Sequence, residues 1–336
     1  MEKIRAVNLG GWFVLERWMS PALFDASPVP IPKQCETSFV THHPDAATAL
    51  AEHWRTWITT DDIRWLRAQG INLVRIPIPW WLFPDRFPAE YPYHSPLAFL
   101  DAALDFIAAE GMRVMLDLHT APGSQNGFDN GGIDGVLSWH LDPKNVDVTV
   151  AVLGEIAKRY RDHPALHSIQ VLNEPHWTIP LQFLGEFYDR AYAVLRTILR
   201  PETMIVFHDG FRFDPWEDFF AARRWKNVAL DTHLYQCFNP RFHTMKAEEF
   251  LHFPETLLPD LERIERTIPV IVGEWSLGAH RIAFDGTREE FERRFARSQM
   301  DAYGRLSGWV FWSYRIAERD SGWNFRSLVE RGILEP

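Results

Sequence analysis

The sequence is poor in cysteine and has no long apolar run. Cys35 and Cys237 are its only cysteines. Two cysteines make neither a disulfide framework nor a four-ligand zinc site, so a reducing compartment is the simplest expectation. No apolar stretch approaches the ~18 residues of a membrane span. The first residues, Met1 to Arg5, carry none of the apolar region typical of a signal peptide. These absences predict a cytoplasmic protein that does not bind a membrane.

A basic excess is also absent, because the formal net charge is −10 and no block of like charge occurs. Nucleic-acid binding needs a basic stripe and is therefore not expected. The sequence contains no glycine-rich phosphate loop and no serine nucleophile elbow. We accordingly expect no cofactor, and the sequence does not indicate an oligomeric state.

No metal is expected either. Several histidines lack any ligand spacing, and the Gly/Asn-rich loop containing Asp129 and Asp134 does not follow the twelve-residue calcium pattern. The histidines without ligand spacing are His42, His43, His140, His208 and His280.

Aromatic residues are plentiful, with 15 Trp, 24 Phe and 8 Tyr. Aromatic faces stack on the C–H faces of sugar rings, so this excess fits a sugar-binding cleft. Filling of a large core is the alternative, and roughly half of the tryptophans are expected to do only that.

Apolar segments alternate with helical patterns along the whole chain. Such alternation gives either a doubly wound sheet or a (β/α)8 barrel, and eight units in one chain favour the barrel. The predicted fold is a single α/β domain over residues 1–336, a TIM barrel with elaborated loops at its C-terminal face. The predicted strands are Ala6–Leu9, Asn72–Pro77, Met112–Leu118, Ser168–Leu172, Met204–Phe207, Val228–His233, Pro269–Val272 and Gly308–Trp312.

Helices are predicted between these strands. Thr59 and Asp62 have the spacing of a capping box, and Gly70 is a typical residue after a helix end. The predicted helices are Pro44–Trp57, Thr60 to Gly70, a helix from Ser95 and Pro96 to Gly111, Val146–Tyr160, Leu181–Leu199, Trp216–Arg224, Pro254–Thr267 and Glu289–Tyr303.

Two of the strands end in an acidic residue. Val171-Leu172-Asn173-Glu174-Pro175 is an apolar strand that meets a carboxylate and stops at proline, and Pro269 to Trp275 repeats the arrangement around Glu274. Two carboxylates at strand ends of one barrel face are what a retaining glycosidase needs. Other strand ends also carry polar or aromatic residues. They are Glu16, Arg75, His119, Asn173, His233, Tyr235 and Trp312.

At these positions the sequence resembles glycoside hydrolase family 5 and, within it, the fungal-type exo-β-1,3-glucanases. The resemblance spans nearly the whole chain in order. The segments that carry it are Val7 to Glu16, Val74 to Pro77, Leu116 to His119, Ala121 to Asn130, Leu172 to Pro175, His233 to Phe238, Val272 to Ser276 and Gly308 to Trp312.

The resemblance implies a double-displacement mechanism. Glu174 would be the general acid/base and Glu274 the nucleophile, so Glu174 should have a raised pKa and Glu274 should be ionised. Arg75 would keep Glu274 ionised, Tyr235 would donate a hydrogen bond to it, and Asn173 would hold the sugar 2-hydroxyl.

The same resemblance implies the remaining substrate contacts. His119 and His233 would bind sugar hydroxyls or orient the acids, unless they are core histidines. Trp312 would form the floor of the −1 subsite. The hydroxyls of the terminal sugar would be bound by Glu16, Asp129 and Asn130, and an aromatic clamp at the pocket mouth would be formed by Phe128 and Phe238. Alternatively, Glu16 is a surface acid, and the two phenylalanines only pack within their loops.

The sequence departs from the fungal members, which are longer, secreted and usually disulfide-bonded. Thr120 stands where they usually carry glycine, and His176-Trp177 follows the acid/base. Trp80 and Trp81 fit either a +1 subsite or rim packing.

The expected activity is release of glucose from short β-glucans or from aryl or alkyl β-glucosides. The alternatives are a β-mannoside, β-1,6-glucan or glycolipid specificity, or a glycan-binding barrel without catalysis.

Overall fold

Eight parallel strands close into a barrel in sequence order, so that β1 pairs with both β2 and β8. The computed structural model describes residues 2–279 and 282–336, and His280 therefore lies outside the described residues. The predicted TIM barrel is confirmed. The strands are β1 (Ile4–Asn8), β2 (Leu73–Ile78), β3 (Arg113–Leu118), β4 (Leu166–Gln170), β5 (Met204–His208), β6 (Val228–His233), β7 (Val270–Trp275) and β8 (Gly308–Phe311).

Helices surround this barrel and bury their apolar faces on the outside of the strands. They are α1 (Pro21–Asp25), α2 (Glu36–His42), α3 (Ala46–Thr56), α4 (Thr60–Ala68), α5 (Leu97–Ala109), α6 (Pro143–Tyr160), α7 (Leu181–Ile198), α8 (Pro215–Arg223), α9 (Ala247–Thr256), α10 (Leu258–Glu265), α11 (Arg288–Tyr303) and α12 (Phe325–Glu330). None of the helices in the described part of the chain is long and apolar enough to cross a membrane.

Two successive layers of side chains lie inside the barrel above Ile4 and Met204, because alternate residues of a strand point to the same face. The lower layer is apolar apart from Ser168, and two residues further along each strand the upper layer is mostly polar. The lower and upper members are Ala6 and Asn8, Leu73 and Arg75, Met115 and Asp117, Ser168 and Gln170, Val206 and His208, Ala229 and Asp231, Ile271 and Gly273, and Val310 and Trp312.

The local signals at α4 are confirmed. The Thr59 side chain accepts from the amide of Asp62, whose carboxylate accepts from the amide of Thr59, so the capping box is complete. Gly70 has φ +81°, a conformation that favours glycine.

One predicted helix is wrong. Pro254–Thr267 is not continuous, since Pro254 lies inside α9 and the chain breaks at Leu257 before α10 begins. Proline at a helix start is common, but tertiary packing also tolerates it inside a helix, and here Pro254 is buried.

Other differences concern loops and strand ends. The segment after β1, predicted as loop before Pro44, contains α1 and α2, and the C-terminal tail contains α12. The fourth strand ends at Gln170, before Asn173 and Glu174, whereas Glu274 lies inside β7. Strand pairing depends on partners remote in sequence, which explains these shifts.

For Trp80 and Trp81, the structure favours packing at the barrel rim over a +1 subsite. Both side chains are buried, and Trp81 stacks on Tyr93 with ring centroids 3.8 Å apart. They stabilise the rim beside β2.

A buried acid in α2 predicts how stability depends on pH. Glu36 is fully buried, and only one of its carboxylate oxygens has a partner, the amide of Leu15. Burial raises the pKa of Glu36 to about 8 from 4.5, although this hydrogen bond opposes the shift. The folded state therefore binds more protons than the unfolded state between these values, and stability must fall as pH rises through this window.

We expect the wild-type Tm to fall more between pH 5 and pH 8 than the Tm of Glu36→Gln, by about 2–5 °C. The variant stays neutral and keeps an oxygen for the amide of Leu15. Glu52→Gln, at an exposed acid on α3, is the control and should behave as wild type. Equal falls in wild type and Glu36→Gln would contradict the assignment.

Candidate active site

A fully buried guanidinium lies at the centre of the C-terminal face of the barrel. Arg75, on β2, is completely inaccessible, and all of its nitrogens have acceptors. Burial lowers the pKa of Arg75, but the surrounding carboxylates more than offset this, so the guanidinium stays charged. Its acceptors are Gln170 Oε1 at 2.9 Å from Nε, Asn8 Oδ1 at 2.7 Å and Glu274 Oε1 at 2.9 Å from Nη1, and Asn173 Oδ1 at 2.8 Å and Asp117 Oδ2 at 3.1 Å from Nη2.

Glu274 is held at both carboxylate oxygens. Oε1 accepts from Arg75, and Oε2 accepts from the Tyr235 hydroxyl at 2.7 Å. The two contacts expected from the sequence are thus present. They fix the carboxylate in one orientation, with the guanidinium on one side and the phenol on the other.

Glu174 follows β4 with φ 44°, a conformation that residues other than glycine rarely adopt. Such a backbone costs roughly 1–3 kcal/mol and is found where surrounding contacts enforce it. The contacts here are Asn130 Nδ2, which donates to Oε2 at 2.9 Å, and His233 Nδ1, 2.7 Å from Oε1. The amide of Asn173 also donates to the carbonyl of Leu118.

His233 joins the two acids. Its Nδ1 lies 2.7 Å from Glu174 Oε1 and 3.4 Å from Glu274 Oε2. Those two oxygens therefore cannot be more than about 6 Å apart, which fits the ~5–5.5 Å carboxyl separation of retaining enzymes and not the wider gap of inverting ones.

A second hydrogen-bonded path links the same imidazole to Arg75. His233 Nε2 lies 3.1 Å from Asp231 Oδ2, and that oxygen also accepts from Gln170 Nε2 at 2.6 Å. Gln170 Oε1 in turn accepts from Arg75. Asp231 occupies the space next to Gly273, where an added Cβ would lie 1.9 Å from Asp231 Oδ1. Residue 273 must therefore be glycine, because the Asp231 carboxylate fills the space that a side chain would need.

The pKa of Glu174 differs from the one predicted. Burial raises the pKa of Glu174, but the hydrogen bond and positive charge of His233 outweigh it and lower the pKa to about 2. The expected raised pKa of Glu174 is therefore wrong. Burial also raises the pKa of Glu274, and His233 and Arg75 only partly oppose this. The expected ionised state of Glu274 at neutral pH stays a prediction.

His233 explains the difference. Burial lowers the pKa of His233, but Glu274, Asp231 and Glu174 together raise it well above its usual value. The proton predicted for Glu174 is therefore held on the neighbouring imidazole, one hydrogen bond away. The sequence could not reveal this, because it depends on the distance between residues of β4 and β6.

His208, at the end of β5, belongs to the site although its spacing did not suggest a role. Its ring lies 4.5 Å from the ring of His233. The metal-ligating atoms of Glu174, His208 and His233 lie within 4.8 Å of one another. However, His208 Nδ1 accepts from the amide of Gly210 at 2.9 Å, so Nε2 carries the ring proton and offers no lone pair. Nε2 itself has no hydrogen-bond partner among the described residues. A metal at this nitrogen would require loss of the ring proton, so the three residues do not fit a metal.

Acidic and amide side chains crowd the other end of the pocket. Burial raises the pKa of Glu16 well above its usual value, and Asp129, Glu274 and Glu174 raise it further. Burial also raises the pKa of Asp129. Trp18 Nε1 donates to Glu16 Oε2 at 2.9 Å. Glu16 is therefore a buried residue of the pocket and not a surface acid.

Aromatic rings complete the walls. Trp312 is buried and stacks on His119 with ring centroids 5.6 Å apart, while His119 Nδ1 lies 2.6 Å from Asp117 Oδ2. Phe238 is 72% exposed beside Tyr235, the partner of Glu274, whereas Phe128 lies near Trp177. The aromatic clamp expected from these two phenylalanines stays a prediction.

Comparison with known proteins agrees with this geometry. Residues 36–318 match the family described as cellulase (glycosyl hydrolase family 5). The chain belongs to glycosyl hydrolase family 5. It is a glycoside hydrolase of a retaining family.

Curated relatives of this family-5 chain cover almost all of it. A glucan 1,3-beta-glucosidase of Blumeria graminis is 32% identical over 99% of this chain and 87% of its own length. A probable glucan 1,3-beta-glucosidase A of Emericella nidulans is 34% identical over 99% of this chain and 90% of its own.

Solved structures show the same fold. The rutinosidase from Aspergillus niger superposes with a TM-score of 0.84 at 21% identity, covering 99% of this chain and 98% of that one. Thermotoga maritima Cel5A with cellobiose gives a TM-score of 0.60 at 18% identity, covering 97% and 96%.

Five polar residues of this family-5 site were not among those predicted, and one signal in the sequence indicates them. All are buried in the upper layer of strands that otherwise read as apolar, each at an inward position. A polar residue in such a strand needs partners, so it marks the site end of the barrel. The missed residues are Asn8, Asp117, Gln170, His208 and Asp231.

The charge on Asp231 is expected to hold the proton on His233. In Asp231→Asn the imidazole loses an anionic neighbour, so its pKa should fall towards the usual value. Titration of the His233 ring by ¹⁵N NMR measures this directly. Asp62→Asn is the control, since Asp62 is also buried but bonds Thr59 and Tyr314, away from His233. A His233 midpoint unchanged in Asp231→Asn would refute the assignment.

Proposed function

We propose that this enzyme is an exo-acting retaining β-glucosidase that releases glucose from short β-1,3-glucans or β-glucosides. The observation that carries the proposal is a single imidazole nitrogen in contact with both carboxylates, which sets their separation for double displacement. The relatives named glucan 1,3-beta-glucosidase support the choice of a β-linked glucosyl group.

Glu274 is the proposed nucleophile. Its carboxylate is aimed by Arg75 and Tyr235, and it would attack the anomeric carbon to form a glycosyl ester as the leaving oxygen departs. Glu174 is the proposed acid/base, which protonates the leaving oxygen and later deprotonates water. Asn173, held by Arg75, is placed to bind the 2-hydroxyl.

His233 supplies the proton that Glu174 lacks at rest. As Glu274 bonds to the anomeric carbon its negative charge disappears, and that charge is the main influence keeping the proton on His233. The imidazolium then becomes a stronger acid, and its proton passes to Glu174 and on to the leaving oxygen. Attack by water reverses the sequence. Nucleophilic attack and leaving-group protonation are thereby coupled through one ring.

The crowded end of the pocket supports exo action. Glu16, oriented by Trp18, and Asp129 offer carboxyl oxygens to the hydroxyls of a terminal sugar. A chain that continued past this sugar would have to displace buried side chains. Glucose release from one end follows.

Product stereochemistry and substrate range test this function. We expect ¹H NMR of the first product to show β-glucose, since two inversions restore the configuration. Among nitrophenyl glycosides, the β-glucoside should be cleaved with the highest kcat/KM. An α-product, or preference for a β-mannoside, would overturn the mechanism or the specificity respectively.

Substitutions of the two acids should differ in how their effect on activity depends on the leaving group of the substrate. Glu274→Ala should lower kcat about 10⁴-fold or more on every substrate, because no covalent path remains. Glu174→Ala should spare dinitrophenyl β-glucoside far more than laminaribiose, because a good leaving group needs no proton. Equal losses on both substrates in Glu174→Ala would contradict its role as acid.

A further inference from the structure

A group of aromatic side chains in the loops after β3, β4 and β5 is in mutual contact, close in sequence to Glu174 and its partners. We name it the aromatic shelf, and it consists of Phe128, His176, Trp177 and Phe211. Trp177 is 51% exposed, which is unusual for so large an apolar side chain. Its ring stacks on His176 at 3.9 Å and lies 6.0 Å from both Phe128 and Phe211.

The shelf is tied to Glu174 at both ends. On one side, Phe211 lies 5.1 Å from His208, which lies 4.5 Å from His233, the partner of Glu174. On the other side, Phe128 is two residues before Asn130, which donates to Glu174. These contacts place the shelf in the part of the C-terminal face that contains Glu174 and its two partners.

The leaving group must pass this surface. The acid that protonates the glycosidic oxygen has to be within hydrogen-bond distance of it, so the atoms beyond that oxygen lie on the outer side of Glu174. The glucosyl group lies on the inner side, among Arg75, Asn173 and Glu274. The shelf therefore lies where the aglycone must be.

The chemistry of the shelf contrasts with that of the terminal-sugar end. Three of its members are carbon-faced rings, and His176 Nδ1 is already engaged by Thr178. Glu16, which accepts from Trp18, provides the terminal-sugar end with a carboxylate. The shelf offers ring faces on which a flat aromatic group can stack, but few free polar atoms to bind the hydroxyls of a second sugar.

We propose that the aromatic shelf is an aglycone subsite and that the preferred substrates are β-glucosides of aromatic alcohols. Trp177 is the specificity-determining residue, and the aglycone ring stacks on its exposed face. This inference rests on the proposed β-glucosidase activity and names the substrate class within it.

The test compares substrates whose leaving groups are similarly acidic but differ in ring area. These are 2-naphthyl and phenyl β-glucosides, with laminaribiose as the substrate that leaves a sugar. In Trp177→Ala, kcat/KM for the naphthyl glucoside should fall about tenfold more than for laminaribiose, the size of one lost ring stack. Trp177→Phe should retain most of the wild-type ratio of naphthyl to phenyl activity.

For substrates whose turnover is limited by hydrolysis of the glycosyl ester, the fall in kcat/KM in Trp177→Ala should appear mainly as a higher KM. The aglycone has already left before that step, so kcat should change little. Leu141→Ala is the control, since this side chain is also large, apolar and exposed, at 69%. It should leave the naphthyl-to-phenyl ratio unaltered.

Acceptor transfer gives a second readout. An alcohol that intercepts the glycosyl ester enters through the subsite that the aglycone left. Wild type should transfer glucose to benzyl alcohol more readily than to ethanol, and Trp177→Ala should lose this preference.

The outcomes separate the two proposals. Turnover of β-glucosides with an unchanged naphthyl-to-phenyl ratio in Trp177→Ala would overturn the shelf and leave the enzyme activity standing. A larger loss on laminaribiose would overturn it in favour of a sugar subsite. No turnover of any β-glucoside by wild type would remove the β-glucosidase activity itself, and the shelf with it.

Discussion

The buried guanidinium of Arg75 is the interaction on which the rest of the site depends. A cation without solvent is costly unless every donor has an acceptor, and here carboxylates and amides from four other strands or their ends provide them. Each acceptor is thereby fixed in position. Glu274 and Asn173 are held directly, and His233 is held through Gln170 and Asp231.

This arrangement requires a polar layer inside an otherwise apolar barrel. Period-two alternation places one side chain of each strand in the lower layer and the next inward one in the upper layer. The lower layer provides hydrophobic stability, and the upper layer provides the site. Space is limited, so Gly273 has no side chain beside Asp231, and Glu174 takes a rare backbone conformation. Both features follow from assembling many polar groups in a small volume.

The position of one proton follows from the same crowding. Glu174, Glu274 and Asp231 all approach His233, and an imidazole among three carboxylates is the most favourable place for the proton. The pocket therefore holds this proton next to Glu174, the proposed acid/base. In the proposed mechanism, the charge on Glu274 is lost as its bond to the sugar forms, the proton then leaves His233, and the ring couples the two halves of the double displacement.

Much of this protein was predictable from the sequence, because its signals are local. The periodicity of strands and helices predicted the barrel, and their position at strand ends indicated Glu174 and Glu274. Pro254 was wrongly predicted to start a helix, because the helix that contains it depends on packing. The contacts of Arg75, the proton on His233 and the shelf around Trp177 were decided only by the tertiary structure. They depend on distances between residues of different strands, and a charge state depends on all neighbours at once.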